Sequence, residues 1–213
     1  MKCAAFVAVL AVAMAAHAEQ ATGDGWETVT TGDITIKTRS VPGSPVREVL
    51  AEADLDAPAR EVQEAVLDPE RFPNFMPFVK EVRFIGQPGQ DGSRVVYTRL
   101  QVPIIAGRDY VIAQKVLRSL NADGTGEFSN EWRVADGLVP ERANTVRLKT
   151  CTGSWRVTPL GTGAKTRVVY QFAIDPGGQI PPFLADLGNR SAVPDVFRAL
   201  AKEAKRLKAL RGT

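Results

Sequence analysis

Between residues 79 and 174 the chain repeats one pattern: short runs of alternating apolar and polar side chains, interrupted by Gly, Asp, Asn and Pro clusters at 87–93, 121–126, 136–144 and 161–165. A period of two marks strands that bury one face, and turn-rich breaks at short intervals join neighbours antiparallel. The pattern predicts five consecutive segments of a long antiparallel meander. Charged residues fix the outward face. With Arg99 and Gln101 outside, Val96, Thr98 and Leu100 point inward, and Lys115 outside leaves Tyr110, Ile112 and Gln114 inside. Glu131 and Arg133 outside put Phe128, Asn130 and Trp132 inside, and Arg167 with Gln171 outside put Val168, Tyr170 and Phe172 inside. Arg147 and Lys149 share a parity with Trp155, so a bulge or bend is expected near Thr152-Gly153.

The meander is flanked by other periods. Two strands, 34–39 and 46–55, meet at the turn Pro42-Gly43-Ser44-Pro45. Asp56-Ala57-Pro58-Ala59 then reads as a capped helix start, with Val62, Ala65 and Val66 at helical spacing until Asp68-Pro69. Residues 71–78 gather three phenylalanines and a methionine around two prolines in an irregular apolar elbow. After residue 180 a helical stretch runs to about Leu210, capped or kinked at Pro194. Val196, Phe197, Leu200, Ala204 and Leu207 share one face of it, and Arg198, Lys202, Lys205 and Arg206 the opposite face.

Residues 1–18 have the form of a secretory leader: Met1-Lys2, an unbroken apolar run from Ala4 to Ala16, and Ala16-His17-Ala18 as the cleavage pattern. The run is too short to cross a hydrocarbon core of about 30 Å. Export across an inner membrane into the periplasm is expected, with 19–25 as a flexible lead-in and 26–211 as one domain. Removing the leader still leaves a chain able to bury roughly 70% of its unfolded surface. It also takes away the only histidine and leaves Cys151 as the only cysteine. Ser-His-Asp and Cys-His catalysis, Cys/His zinc cages and internal disulfides are then excluded, no metal or other cofactor is expected, and Cys151 reads as a small buried hydrophobe.

The formal net charge is +3, of which Lys2 supplies one, too balanced for a dedicated nucleic-acid footprint. The distribution is uneven. Arg190, Arg198, Lys202, Lys205, Arg206, Lys208 and Arg211 face only Asp195 and Glu203 over the last stretch. The basic face of the final helix is either a solvated surface or a transient contact for anionic membranes through Arg198, Lys202, Lys205 and Arg206. A monomer is expected.

Four elements in sequence, Asp56-Ala57-Pro58-Ala59, residues 72–79 (Phe-Pro-Asn-Phe-Met-Pro-Phe-Val), Arg108-Asp109-Tyr110-Val111 and Ile180-Pro181-Pro182-Phe183-Leu184-Ala185-Asp186, resemble a START domain. This is the steroidogenic-acute-regulatory-related lipid-transfer family of the helix-grip superfamily, and the resemblance covers roughly residues 26–210. One departure is that the segment before the Arg-Asp dyad lacks the tryptophan many relatives show. The resemblance implies an α+β helix-grip fold: a curved antiparallel sheet wrapped around a long C-terminal helix, with a hydrophobic tunnel between them for one lipid or other hydrophobic small molecule.

On that reading the inward set Val96, Thr98, Leu100, Tyr110, Ile112, Gln114, Asn130, Trp132, Tyr170, Phe172, Phe197 and Leu200 lines the tunnel, with Leu184 and Leu187 near its mouth. From alternation alone the same set equally describes a packed core. Arg108, inward by parity, either meets an anionic headgroup at the tunnel end or is tied into a structural ion pair or loop carbonyls, and Asp109 is structural. An empty apolar cavity of about 500 Å³ would cost on the order of 10 kcal/mol, so such a space holds lipid or water, or collapses. A polyketide cyclase-like or hydratase-like enzyme on the same fold, and a ligand-free protein-binding adaptor, are the competing functions.

Overall fold

The computed structural model describes residues 25–44, 46–102, 105–178 and 192–212; the leader at 1–18 and the mouth residues Leu184 and Leu187 lie outside the described residues. Three strands come first: β1 (Glu27–Thr30), β2 (Ile34–Ser40) and β3 (Arg47–Leu55). The first of these has too short an alternation to stand out in the sequence. Helix α1 (Ala59–Leu67) follows, and a 3-10 turn at Pro69–Asn74 forms the apolar elbow. The meander comprises β4 (Val79–Ile85), β5 (Arg94–Leu100), β6 (Gly107–Arg118), β7 (Phe128–Val134), β8 (Thr145–Arg147), β9 (Cys151–Leu160) and β10 (Lys165–Ile174). Helix α2 (Val193–Arg211) closes the chain, with Pro194 in its first turn, where a missing N–H costs no hydrogen bond.

The strands build one sheet in the order β1-β2-β3-β10-β9-β7-β6-β5-β4. All neighbours on this path are antiparallel, and β8 adds a short parallel pairing to the start of β6. The five expected segments are therefore subdivided, at 101–106 and again at 148–150. The second break replaces the bend expected at Thr152-Gly153: both residues sit inside β9, in unbroken register with β10.

Helix α1 has its boundary at Pro58, whose fixed φ of −69° suits a helix start, but no side chain caps it. The capping expected of this segment fails because the Asp56 carboxylate is drawn instead to Lys205 of α2, 3.1 Å away. α2 packs on α1 and β3. Ile36, Val62, Ala65, Phe128, Val157, Val168, Phe197, Leu200 and Ala204 seal the core between these elements and the sheet. Ion pairs stitch the helices along their edge, Glu61–Arg211 at 2.9 Å and Arg71–Glu203 at 3.2 Å among them.

On the convex side Asp109 and Arg147 are buried together. Arg147 donates Nε to Asp109 Oδ1 at 2.8 Å and Nη2 to Oδ2 at 3.2 Å, and Tyr97 donates its hydroxyl to the same carboxylate at 3.1 Å. The Val139 and Pro140 carbonyls accept from Arg147 Nη1 and Nη2, so the 136–142 loop roofs the pair. Arg147 points outward from the sheet but lies under this loop. Asp109 is structural, as read from the sequence.

Candidate functional site

Cross-strand register brings the inward residues of the meander onto one concave face. Gln114 of β6 pairs with Trp132 of β7, Trp132 with Gly153 of β9, Gly153 with Phe172 of β10, and Phe172 with Val49 of β3. The next row runs Asn130, Trp155, Tyr170, Ala51. Towards the β5 side, Val96 faces Ile112, Thr98 faces Tyr110 and Leu100 faces Arg108. The alternation read from the sequence therefore places all of these side chains on the same surface.

That surface divides in two. Beneath α1 and α2 it is closed: Phe197 is 1% and Leu200 0% exposed, and Asn130 is buried with its Oδ1 accepting the Trp155 N–H at 3.3 Å. Phe197 and Leu200, expected along a tunnel, are instead packed into the sealed core, with the Phe197 ring 6.2 Å from Trp155. The cause is the placement of α2 over α1 and β3, where small residues such as Ala51, Ala53, Ala57 and Ala65 allow close approach.

Away from the helices the same face is only partly covered. Leu100, Tyr110, Gln114, Trp132, Val134, Tyr170, Phe172 and Ile174 are half-buried, although they sit on the inner side of a curved sheet. Val96, Ile112 and Cys151 form a second apolar cluster, which Trp132 links to the main core. Among the described residues the result is a trough with an apolar floor, walled on one side by the helix-covered core. Two surface clefts elsewhere, one beside Leu67 and Arg211 and one beside Tyr97 and Arg142, share no lining residue with it.

An aromatic platform forms the floor of the trough. Trp155 and Tyr170 stack at 4.0 Å with rings 9° from parallel, Phe172 lies 4.6 Å from Tyr170, and Trp132 lies 6.0 Å from it. Trp155, Val134, Val82, Phe84 and Ile174 belong to this neighbourhood and were not singled out from sequence. Trp155 had the right parity signal, alternating with Val157, but its apparent kinship with Arg147 and Lys149 disguised it.

Apart from the arginines at its ends, Arg94 and Arg108, the polar groups of this face are few and neutral. Burial pushes the Tyr110 and Tyr170 phenols well above their ordinary pKa, with Thr98 partly offsetting the shift at Tyr110. Burial also raises the Cys151 thiol to about 12, so it is neither a nucleophile nor a ligand thiolate at neutral pH. From β5 to β10 the concave face carries no carboxylate. Among the described residues this face offers shape, apolar area and hydrogen-bond donors.

A family profile described as "Polyketide cyclase / dehydrase and lipid transport" matches residues 46–210. The chain belongs to this family. A START-type lipid transfer protein of Xanthomonas axonopodis is 26% identical in sequence and superposes with a TM-score of 0.70 over 85% of this chain and 99% of its own. Human StAR-related lipid transfer protein 5, 20% identical, superposes at 0.76 over 88% of this chain and 89% of its own, which supports the fold. A Pseudomonas aeruginosa protein without an assigned activity is 28% identical over 84% of this chain and 86% of itself. The phosphatidylcholine transfer protein of Rattus norvegicus is 27% identical over 53% of this chain, about half its own length at 52%. The START resemblance and the helix-grip fold read from the sequence both hold, the long helix gripping one half of the sheet.

The basic face of α2 is largely neutralised. Arg198 pairs with Asp195 at 2.7 Å, Lys205 with Asp56 at 3.1 Å and Arg206 with Glu203 at 2.7 Å. Among the described residues Lys202 makes no ion pair. The cations projected together from helical spacing are thus distributed among separate partners, two of them within α2 itself and one, Asp56, outside it.

Proposed function

We propose that this protein is a START-type carrier that receives one lipid-like molecule in the trough and transfers or presents it without covalent chemistry. The observation that carries the reading is the half-buried apolar face of β5, β6, β7 and β10 beyond the reach of α2, bordered by the Trp155–Tyr170 stack at the edge of the helix-covered core. Apolar area of this kind on the inside of a sheet is stabilised by an apolar occupant, at roughly 25 cal/mol per Å² covered. The lipid transfer proteins among its relatives support the same reading. The leader-like residues 1–18 support an exported, periplasmic carrier.

The family description also covers cyclases, and enzymes of that kind need a group to move protons. Here the concave face from β5 to β10 holds no carboxylate, its tyrosines are held neutral and its thiol is protonated, which favours carriage over turnover. The test is transfer of a fluorescent lipid from donor to acceptor vesicles. Catalytic amounts of the protein are expected to accelerate exchange and return the lipid chemically unchanged; no acceleration, or a modified product, would refute the reading.

A further inference from the structure

Two arginines at the start of the β6 region are buried to a similar degree on opposite faces of the sheet. Arg147, on the convex side, has a carboxylate in both arms of its fork. Arg108, on the trough side, is 5% exposed and has none: among the described residues no carboxylate oxygen comes within 4 Å of it. Its Nε donates to the Pro176 carbonyl at 3.3 Å, Nη2 to the Gly177 carbonyl at 3.4 Å, and Nη1 to the Ala106 carbonyl. These contacts use three of five N–H donors and supply dipoles, not a countercharge.

Burying a cation without an anion is costly, by several kcal/mol even after relaxation. Desolvation lowers the Arg108 pKa, but a guanidinium stays protonated, so it cannot escape the cost by losing its charge. Among the described residues nothing provides the missing charge nearby. Asp109 points through the sheet to Arg147, and Asp175 accepts the Gly177 N–H at 2.9 Å without reaching the guanidinium. The turn beside the fork is instead made small: Gly178 has a φ of +66°, and a β-carbon there would lie 3.9 Å from Arg108 Nη2. Leu100 flanks Arg108 across the ladder, and Tyr110 stands two residues further along the same face, about 7 Å into the trough.

We infer that the molecule held in the trough bears an anionic group, a carboxylate or a phosphate, and that Arg108 receives it. The inference rests on the carrier reading above. The acid sits at the Arg108 end, against the two N–H groups left by the carbonyls, and the apolar remainder extends past Tyr110 towards Ile112, Val96 and Trp132. A planar fork matches either oxyanion, and charge-assisted hydrogen bonds in a dry site are stronger than neutral ones.

The test uses bromine quenching of the trough tryptophans, Trp132 and Trp155. Dibromostearate is compared with its methyl ester at pH 8, and brominated phosphatidic acid with the matching diacylglycerol, so that the two arms separate carboxylate from phosphate. In at least one arm the acid is expected to bind about tenfold or more tightly than its neutral counterpart. Arg108→Gln is expected to bring that ratio close to one while neutral binding is kept, and Arg108→Lys to retain part of it. Equal binding of acid and neutral forms by the unaltered protein, or a ratio unchanged in Arg108→Gln, would overturn the inference; the first result needs no variant to fold. Binding of both forms alike would leave the carrier reading standing, whereas quenching by none of the four would remove both.

Discussion

Trp132 lies flat against Gly153: a β-carbon built on Gly153 would fall 2.4 Å from Trp132 Cζ2 and 2.5 Å from the Gln171 carbonyl oxygen. Glycine is therefore required in mid-strand by the ring opposite it and by the carbonyl oxygen of the adjoining strand, not by a positive φ, and the gap lets one side chain tie the main core to the second apolar cluster. Gly153→Ala is expected to lower stability by about 1–3 kcal/mol, as overpacked sites do, and to displace the indole into the trough. Urea unfolding and lipid uptake should both register it. Unchanged values would contradict the close packing of Trp132 and the Gln171 carbonyl on this position.

The Asp109–Arg147 pair has both partners buried and a Tyr97 hydroxyl in attendance. Asp109→Ala leaves a buried guanidinium without its anion and is expected to cost about 3–5 kcal/mol. Tyr97→Phe removes one hydrogen bond while the ion pair persists, and about 1 kcal/mol is expected. Chemical denaturation of both variants checks the order; a larger loss in Tyr97→Phe would contradict it.

Glu203 couples α2 to the elbow and carries a pH signature. Arg206 first, and Arg71 after it, hold its carboxyl below the usual glutamate pKa despite burial. A lowered folded-state pKa contributes stability that is complete above the ordinary glutamate value, about 4.3, and is lost as pH falls through the folded value. The gap in urea midpoint between the unaltered protein and Glu203→Gln is therefore expected to be widest near pH 7 and to close towards pH 3. A gap independent of pH would sink this assignment.

Ile112 and Leu200 distinguish an open trough from a filled core. Leu200 is sealed among helix and sheet residues, and Leu200→Ala is expected to cost about 2–5 kcal/mol. Ile112 borders the partly covered side. Ile112→Trp is expected to abolish lipid uptake at a cost of about 1–3 kcal/mol, since Ile112 is itself buried in the second apolar cluster and the larger ring must displace its neighbours into the trough. Uptake retained in Ile112→Trp would place the ligand elsewhere.

Much of this arrangement was legible in the sequence. Outward charges such as Arg99, Lys115, Glu131 and Arg167 fixed strand parity, and parity alone put Tyr110, Trp132 and Tyr170 on one surface. What alternation does not encode is which part of that surface a helix covers, so Phe197 and Leu200 were placed in a tunnel although they fill the core. The parallel strand β8 was invisible because its three residues are set by the Arg147–Asp109 pair and the loop above it, contacts distant in sequence. Asp56 looked like a helix cap because capping is local, whereas Lys205, which claims it, lies 149 residues away.

Native mass spectrometry of the purified full chain, followed by solvent extraction, addresses the central claim most directly. The account predicts a population heavier than the bare chain by the mass of a single small molecule, released into the organic phase as an unmodified amphiphile. A bare chain that stays bare after incubation with lipid vesicles would contradict it.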